Sequence, residues 1–185
     1  MNPFRLFSLV GLMLISYGCF SSSSPTRTFI LSETVLPPGE SSLRVRIGRI
    51  ALPDYLKRWE IVTLVNEREV RINDFAQWGE LLEDGILRIL KENFRQVLGV
   101  GQQNGEDCWL LDYEFLKLTG NGEGAFTVKA ICKASTANDQ KLFTIDFEVP
   151  CNSEKPDKLV KAHEEALGIL VQKTLAELQE QSPVF

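Results

Sequence analysis

The chain holds a single histidine, His163, and only four cysteines, and no spacing among them matches a metal-binding pattern. With so few soft or imidazole ligands, no metal and no cofactor site is expected. No phosphate-cradling glycine loop and no GxSxG nucleophile elbow occurs either. The carboxylates are scattered without an isolated pair, so no catalytic residue is assigned. Basic charge is also short: 20 Lys and Arg stand against 25 Asp and Glu, for a net charge of −5. That balance, with no basic stripe, argues against nucleic acid or an anionic lipid surface as the main partner. Long apolar runs are missing too. The most apolar stretch, residues 6–17, falls well short of the roughly 20 residues needed to span a bilayer.

What remains is an ordinary globular composition, 185 residues with 44% hydrophobic and 24% charged, enough for one core and one domain. The N-terminus is a different kind of sequence. Arg5, the apolar run and small Gly18 have the layout of a secretory signal over residues 1–18. Ser16-Tyr17-Gly18-Cys19 is similar to a bacterial lipobox, with Gly18 in its usual place, Ser16 for the usual Leu and Tyr17 bulky for its position. Cys19 is therefore the expected lipid attachment site; ordinary cleavage beside an incidental cysteine is the alternative. Residues 19–28 then form a lipidated cysteine and a Ser/Pro-rich flexible tether, and residues 29–185 a single domain. Several acyl chains on one residue hold firmly where one chain is marginal. Phe20, rather than Asp, follows the cysteine, so the expected location is the periplasmic face of the outer membrane.

Within the domain, Phe29-Ile30-Leu31 suits a short edge strand, ended by the turn chemistry of Leu36-Pro37-Pro38-Gly39. Leu43, Val45 and Ile47 alternate with Arg44, Arg46 and Gly48, the period-2 pattern of a half-buried strand. A first long helix is expected over about 74–98. Asp74 and Gln77 have capping-box spacing, Phe75, Trp78, Leu82, Ile86, Ile89, Leu90, Phe94 and Val97 make an apolar face, and Gly99 is a natural stop. Three alternating runs follow, around Trp109–Phe115, Phe126–Cys132 and Phe143–Val149, with turns at 120–124 and 138–139; they suit an antiparallel meander. A last helix is expected over about 157–180. The fold class is α+β, a two-layer arrangement of a mainly antiparallel sheet with two long helices packed on one face.

Cys108, Cys132 and Cys151 sit in what should be an oxidising compartment. If Trp109 lies opposite Cys132, Cys151 falls near Gly124, some 26 Å along the strand at about 3.3 Å per residue. A disulfide needs Cα atoms within roughly 7 Å, so three unpaired thiols are expected. His163, among Lys161, Glu164 and Glu165, reads as a residue on the solvent face of the last helix.

The stretch Leu52-Pro53-Asp54-Tyr55-Leu56-Lys57-Arg58-Trp59-Glu60-Ile61-Val62 joins two strand-like runs. Pro53 fixes its own φ and extends Leu52, which ends the first strand, and Asp54–Arg58 has room for one tight helical turn. One reading makes it a structural crossover whose Tyr55, Leu56 and Trp59 cap the core. The run also resembles the LPxYLxRxxIV signature of the ABC-type transport auxiliary lipoproteins, the PqiC/YmbA-like group, departing at Lys57 and Trp59. The segment Phe75-Ala76-Gln77-Trp78-Gly79-Glu80-Leu81-Leu82 looks like the start of that family's Trp-containing helix, and the similarity covers most of the chain after the export signal. The resemblance implies a non-enzymatic accessory lipoprotein of an MCE-type ABC system that moves lipid between the inner and outer membranes. It implies docking against an MCE-family periplasmic protein, and leaves self-association as a homo-oligomer open. Tyr55, Leu56 and Arg58 are the candidate contacts for a partner or a second copy. Two other classes stay open: a secreted thiol hydrolase using Cys108 or Cys132, and a soluble periplasmic lipid carrier.

Overall fold

Alternation and helical spacing sort the chain into two layers. The computed structural model describes residues 25–39, 42–99 and 108–180; the signal segment and Cys19 lie outside them. In chain order the elements are β1 (Arg27–Phe29), β2 (Val45–Ala51), a 3-10 turn (Asp54–Leu56), β3 (Glu60–Asn66), β4 (Glu69–Trp78), α1 (Leu82–Leu98), β5 (Trp109–Gly120), β6 (Ala125–Ser135), β7 (Gln140–Pro150) and α2 (Pro156–Glu180). β1 thus begins inside the stretch read as tether.

The expected meander is present as β5, β6 and β7, with β2 added parallel to β5 to give the order β2-β5-β6-β7. Its inner face carries Leu111, Tyr113, Phe115, Phe126, Val128, Ala130, Cys132 and Ala134, all buried. α1 packs on β2, α2 packs on β7, β6 and β5, and the helices pack on each other. The fold is α+β, with both helices on this sheet. Small side chains at the seam (Ala130 and Ala134 on β6, Ala162 and Ala166 on α2) are buried, which lets backbone layers approach closely. Leu118, Leu159, Leu167 and Leu170 fill the interior, each contributing about 1.5–3 kcal/mol on burial. A polar tie pins the layers in one register: the Tyr113 hydroxyl donates to Thr174 Oγ1 at 2.9 Å, and Thr174 donates to the Leu170 carbonyl at 2.8 Å.

A second, three-stranded sheet has the order β1-β4-β3, and here the expectation fails locally. The helix expected from Asp74 begins only at Leu82, and residues 69–78 are strand. Val70 and Ile72 pair with Leu64 and Val62 of β3, and β-branched residues favour that pleated surface. Asn73, not Asp74, organises the backbone: its Oδ1 accepts the Phe75 N–H at 3.0 Å within a register shift. Ala76 and Trp78 are buried while Phe75 is 52% exposed, the period-2 alternation of a strand, so the helical spacing of Phe75 and Trp78 does not put them on one face. Gly79 then lets the chain turn, since a Cβ there would lie 2.9 Å from Ile30 Cγ2. α1 starts without a side-chain cap. Instead, Arg88 reaches back to pair with Glu80 and donates to the Leu31 carbonyl at 2.9 Å.

The other correction concerns His163. It is 2% exposed, not on the solvent face. Leu159, Ala166, Leu167 and Leu170 lie three, four and seven residues away on the same helical face, and that apolar spacing outweighs the charged neighbours in sequence.

The β6–β7 register places Cys132 opposite Phe143 and carries Cys151 to Gly124, whose carbonyl accepts the Cys151 N–H at 2.8 Å. Tyr113, not Trp109, faces Cys132. Cys132 and Cys151 are thus about 26 Å apart along the sheet, and Cys108 is about 16 Å from Cys132. Both spans exceed what an intrachain disulfide bridges.

Candidate functional site: the loop between β2 and β3

Pro53, at φ −57° and ψ 146°, turns the chain out of β2 and into the 3-10 turn. The Leu56 N–H donates to the Pro53 carbonyl at 2.9 Å, and the Lys57 N–H to the Asp54 carbonyl at 3.1 Å. Arg58 N–H closes on the Leu56 carbonyl at 2.9 Å, and Trp78 N–H bonds the Trp59 carbonyl at 2.7 Å. The loop is therefore stitched to itself and to β4, and its backbone is rigid.

The side chains divide by face. Leu56 is 4% exposed and packs in the core with Leu52 and Ile61. Tyr55 is half-buried against the same core, and burial pushes its phenol above the ordinary range. Arg58 is partly exposed, and Trp59 is 52% exposed. The structure thus brings Tyr55, Arg58 and Trp59 to the outer side of the loop and puts Leu56 beneath them. On the structural-crossover reading Trp59 caps the core; half its surface is open instead.

Charge at this loop is locally balanced. Lys57 Nζ meets Asp54 Oδ1 at 2.8 Å, and Arg58 Nε meets Glu60 Oε2 at 3.3 Å. The Lys57 hydrogen bond and charge hold the Asp54 carboxyl below the usual range. Pairs this exposed add little stability because water and salt screen them. They leave the charges of the loop paired beside the half-buried Tyr55 and the exposed Trp59.

The chemistry-bearing residues lie elsewhere and apart. Burial pushes the Cys132 thiol up to about 12 and also raises Cys151 and Cys108, which lowers the thiolate fraction each offers as nucleophile. His163 meets Trp78 and Phe126, with ring centroids 5.2 Å and 4.4 Å away. No cluster of three or more metal-type ligands occurs among the described residues, and no described helix is long and apolar enough to cross a membrane.

The domain is thus an α+β fold carrying an aromatic-tipped loop held by its own hydrogen bonds. The family model for the ABC-type transport auxiliary lipoprotein component matches residues 30–174, and the chain belongs to that family. Two crystal structures share the fold. One is of an uncharacterised protein, with a TM-score of 0.70 at 15% identity over 84% of this chain and 100% of the other. The second is a Xanthomonas campestris protein assigned to the family DUF330, with a TM-score of 0.66 at 14% identity over the same shares. No curated protein matches the chain.

Proposed function

We propose that the chain is a non-enzymatic envelope lipoprotein, anchored through acylated Cys19 to the periplasmic face of the outer membrane. It serves an MCE-type ABC system that moves lipid between the two membranes. Residues 1–18 are its export signal, the following stretch is its tether, and the remainder is one docking domain. The observation that carries this reading is the rigid loop at 53–59 in a member of a transport-auxiliary family. Tyr55 and Arg58 supply contact from above, with Leu56 holding the loop from beneath; a second copy of the chain is the competing occupant of the same patch. The interior supports bracing rather than carrying, because the space between sheet and helices is filled by fully buried side chains such as Ile86, Leu90, Leu118 and Phe126. The hydrolase reading has no comparable support, given thiols raised by burial.

The test is a photo-crosslinking residue placed at position 58 in cells, followed by identification of what is captured. Capture of an MCE-family periplasmic protein is the expected result. Capture of only a second copy moves the loop to self-association, and no capture from this loop defeats the proposal.

A further inference from the structure

β7 ends the four-stranded sheet, with β6 on one side and, among the described residues, no strand on the other. The Cys151 N–H to Gly124 carbonyl bond fixes which of its residues bond β6. Antiparallel ladders alternate, so odd-numbered residues of β7 turn their backbone groups to β6. Leu142, Thr144, Asp146 and Glu148 turn theirs outward, and no described residue bonds them.

Natural sheets usually blunt such an edge with a bulge, a proline, a short strand or charged side chains; of these β7 has only the charges Lys141, Asp146 and Glu148. The other edges here follow that rule: β2 and β3 carry register shifts, and β1 is three residues long. The β6–β7 register, by contrast, runs unbroken from Ala125↔Pro150 to Ser135↔Gln140. Its only proline, Pro150, stands at the end. Phe143 and Phe147 are half-buried beside this edge, and Leu142 is 69% exposed.

We propose that β7 pairs with β7 of a second copy, antiparallel about a two-fold axis at Ile145, joining the two sheets into one. The strand is self-complementary about that residue. Phe143 then faces Phe147 of the second copy twice, aromatic pairs of the kind that stabilise neighbouring strands. Thr144 faces Asp146, Leu142 faces Glu148 and Lys141 faces Val149 of the second copy, so no like charges stand opposite. Asp146 is already neutralised by Lys129 at 3.4 Å, and Glu148 accepts the Thr127 hydroxyl at 2.9 Å. Moving the axis to Asp146 would set that carboxylate against its own copy. Moving it to Thr144 would break both aromatic pairs and leave a strand end overhanging. The register at Ile145 alone pairs the full strand, with about eight backbone hydrogen bonds. The pairing is independent of the loop between β2 and β3.

The test uses the mature full-length chain solubilised in detergent. In the Thr144→Cys, Asp146→Cys double variant, the two positions face each other at about 5.5 Å between Cα atoms, within disulfide reach. Oxidation should give a dimer whose linked peptide joins position 144 to position 146, and neither single variant should link to itself. Leu142→Glu, a change at an exposed position, should weaken dimerisation at least tenfold in sedimentation, and adding Glu148→Lys should restore it. A wild-type chain that stays monomeric up to about 100 µM, a 144–144 link, or a dimer indifferent to Leu142→Glu overturns the proposal.

Discussion

His163 on α2 and Trp78 at the end of β4 meet edge to face, their ring centroids 5.2 Å apart. Phe126 of β6 closes on the same imidazole at 4.4 Å, so one ring joins α2 to both sheets. Nδ1–H donates to the Leu159 carbonyl at 2.9 Å, while Nε2 is buried without a partner. That tautomer is the neutral one. Burial lowers the imidazole pKa from 6.5 to about 4, with the Leu159 hydrogen bond opposing the shift.

The first prediction follows from this burial. Above pH 6.5 the ring is neutral folded or unfolded, and it has no effect on the pH dependence. As pH falls from 6.5 to about 4 the unfolded chain takes up a proton that the folded one refuses. The folded state therefore loses about 3 kcal/mol across that window. His163→Phe keeps an aromatic between Trp78 and Phe126 and removes the titration. Denaturant titrations at several pH values should show the wild type losing more stability than the variant between pH 6.5 and 4. Parallel curves would show that the ring is protonated as easily folded as unfolded.

Asn93 is a second buried polar group, fully shielded on the inner face of α1, and neither of its side-chain polar atoms has a partner. An amide buried unpaired costs about 1–3 kcal/mol. Asn93→Leu, apolar and of the same branched skeleton though larger, should raise the urea midpoint if α1 accommodates the methyl groups, whereas Asn93→Ala should not because it opens a cavity. A lower midpoint for the leucine variant would mean that the methyl groups are not accommodated or that the amide is bonded after all, through water.

Cys132 and Cys151 face different ends of the β6–β7 ladder. In the native state, maleimide should label neither quickly, with Cys132 the slower because it is fully buried. Unfolding without reductant should expose both to full modification. A peptide bridging the two would contradict the strand register.

The anchor gives a fourth prediction. Cys19→Ser should release the protein from the membrane fraction into the soluble periplasm, read by fractionation. A wild-type mature chain that is soluble and carries no added acyl mass would remove the anchor.

Sequence carried the meander and the last helix because both have long, regular periods: Phe126, Val128, Ala130 and Cys132 alternate without interruption, and α2 keeps its apolar stripe for its whole length. The signature around Pro53 was legible because proline and the flanking β-branched residues constrain the backbone locally. The β4 hairpin was not. Its partner, β3, ends only two residues before it, but the polar run between Asn66 and Asp74 hides the strand alternation, and Phe75 and Trp78, three apart, suit a helix although one is exposed and the other buried. His163 was misplaced because its sequence neighbours are charged, although its i−4 and i+4 neighbours, Leu159 and Leu167, are fully buried. The exposure of Trp59 had no local signal at all; it depends on where β4 ends.

The loop between β2 and β3 allows its surface and its core to be separated experimentally. Leu56 lies under the loop, so Leu56→Ala removes core packing and should cost about 2–5 kcal/mol. Arg58 is partly exposed and its partner Glu60 stays wet without it, so Arg58→Ala should cost well under 1 kcal/mol. Tyr55 is half-buried, and Tyr55→Ala falls between these limits. The Tyr55→Ala, Arg58→Ala double variant should therefore stay folded, with a melting temperature lowered by less than that of Leu56→Ala alone. If the loop is the docking surface, that folded double variant fails to complement a deletion strain and loses crosslinks from this face. Should it fold and complement fully, the contact lies elsewhere on the domain. Should it unfold like Leu56→Ala, Tyr55 and Arg58 belong to the core and the loop is a structural crossover.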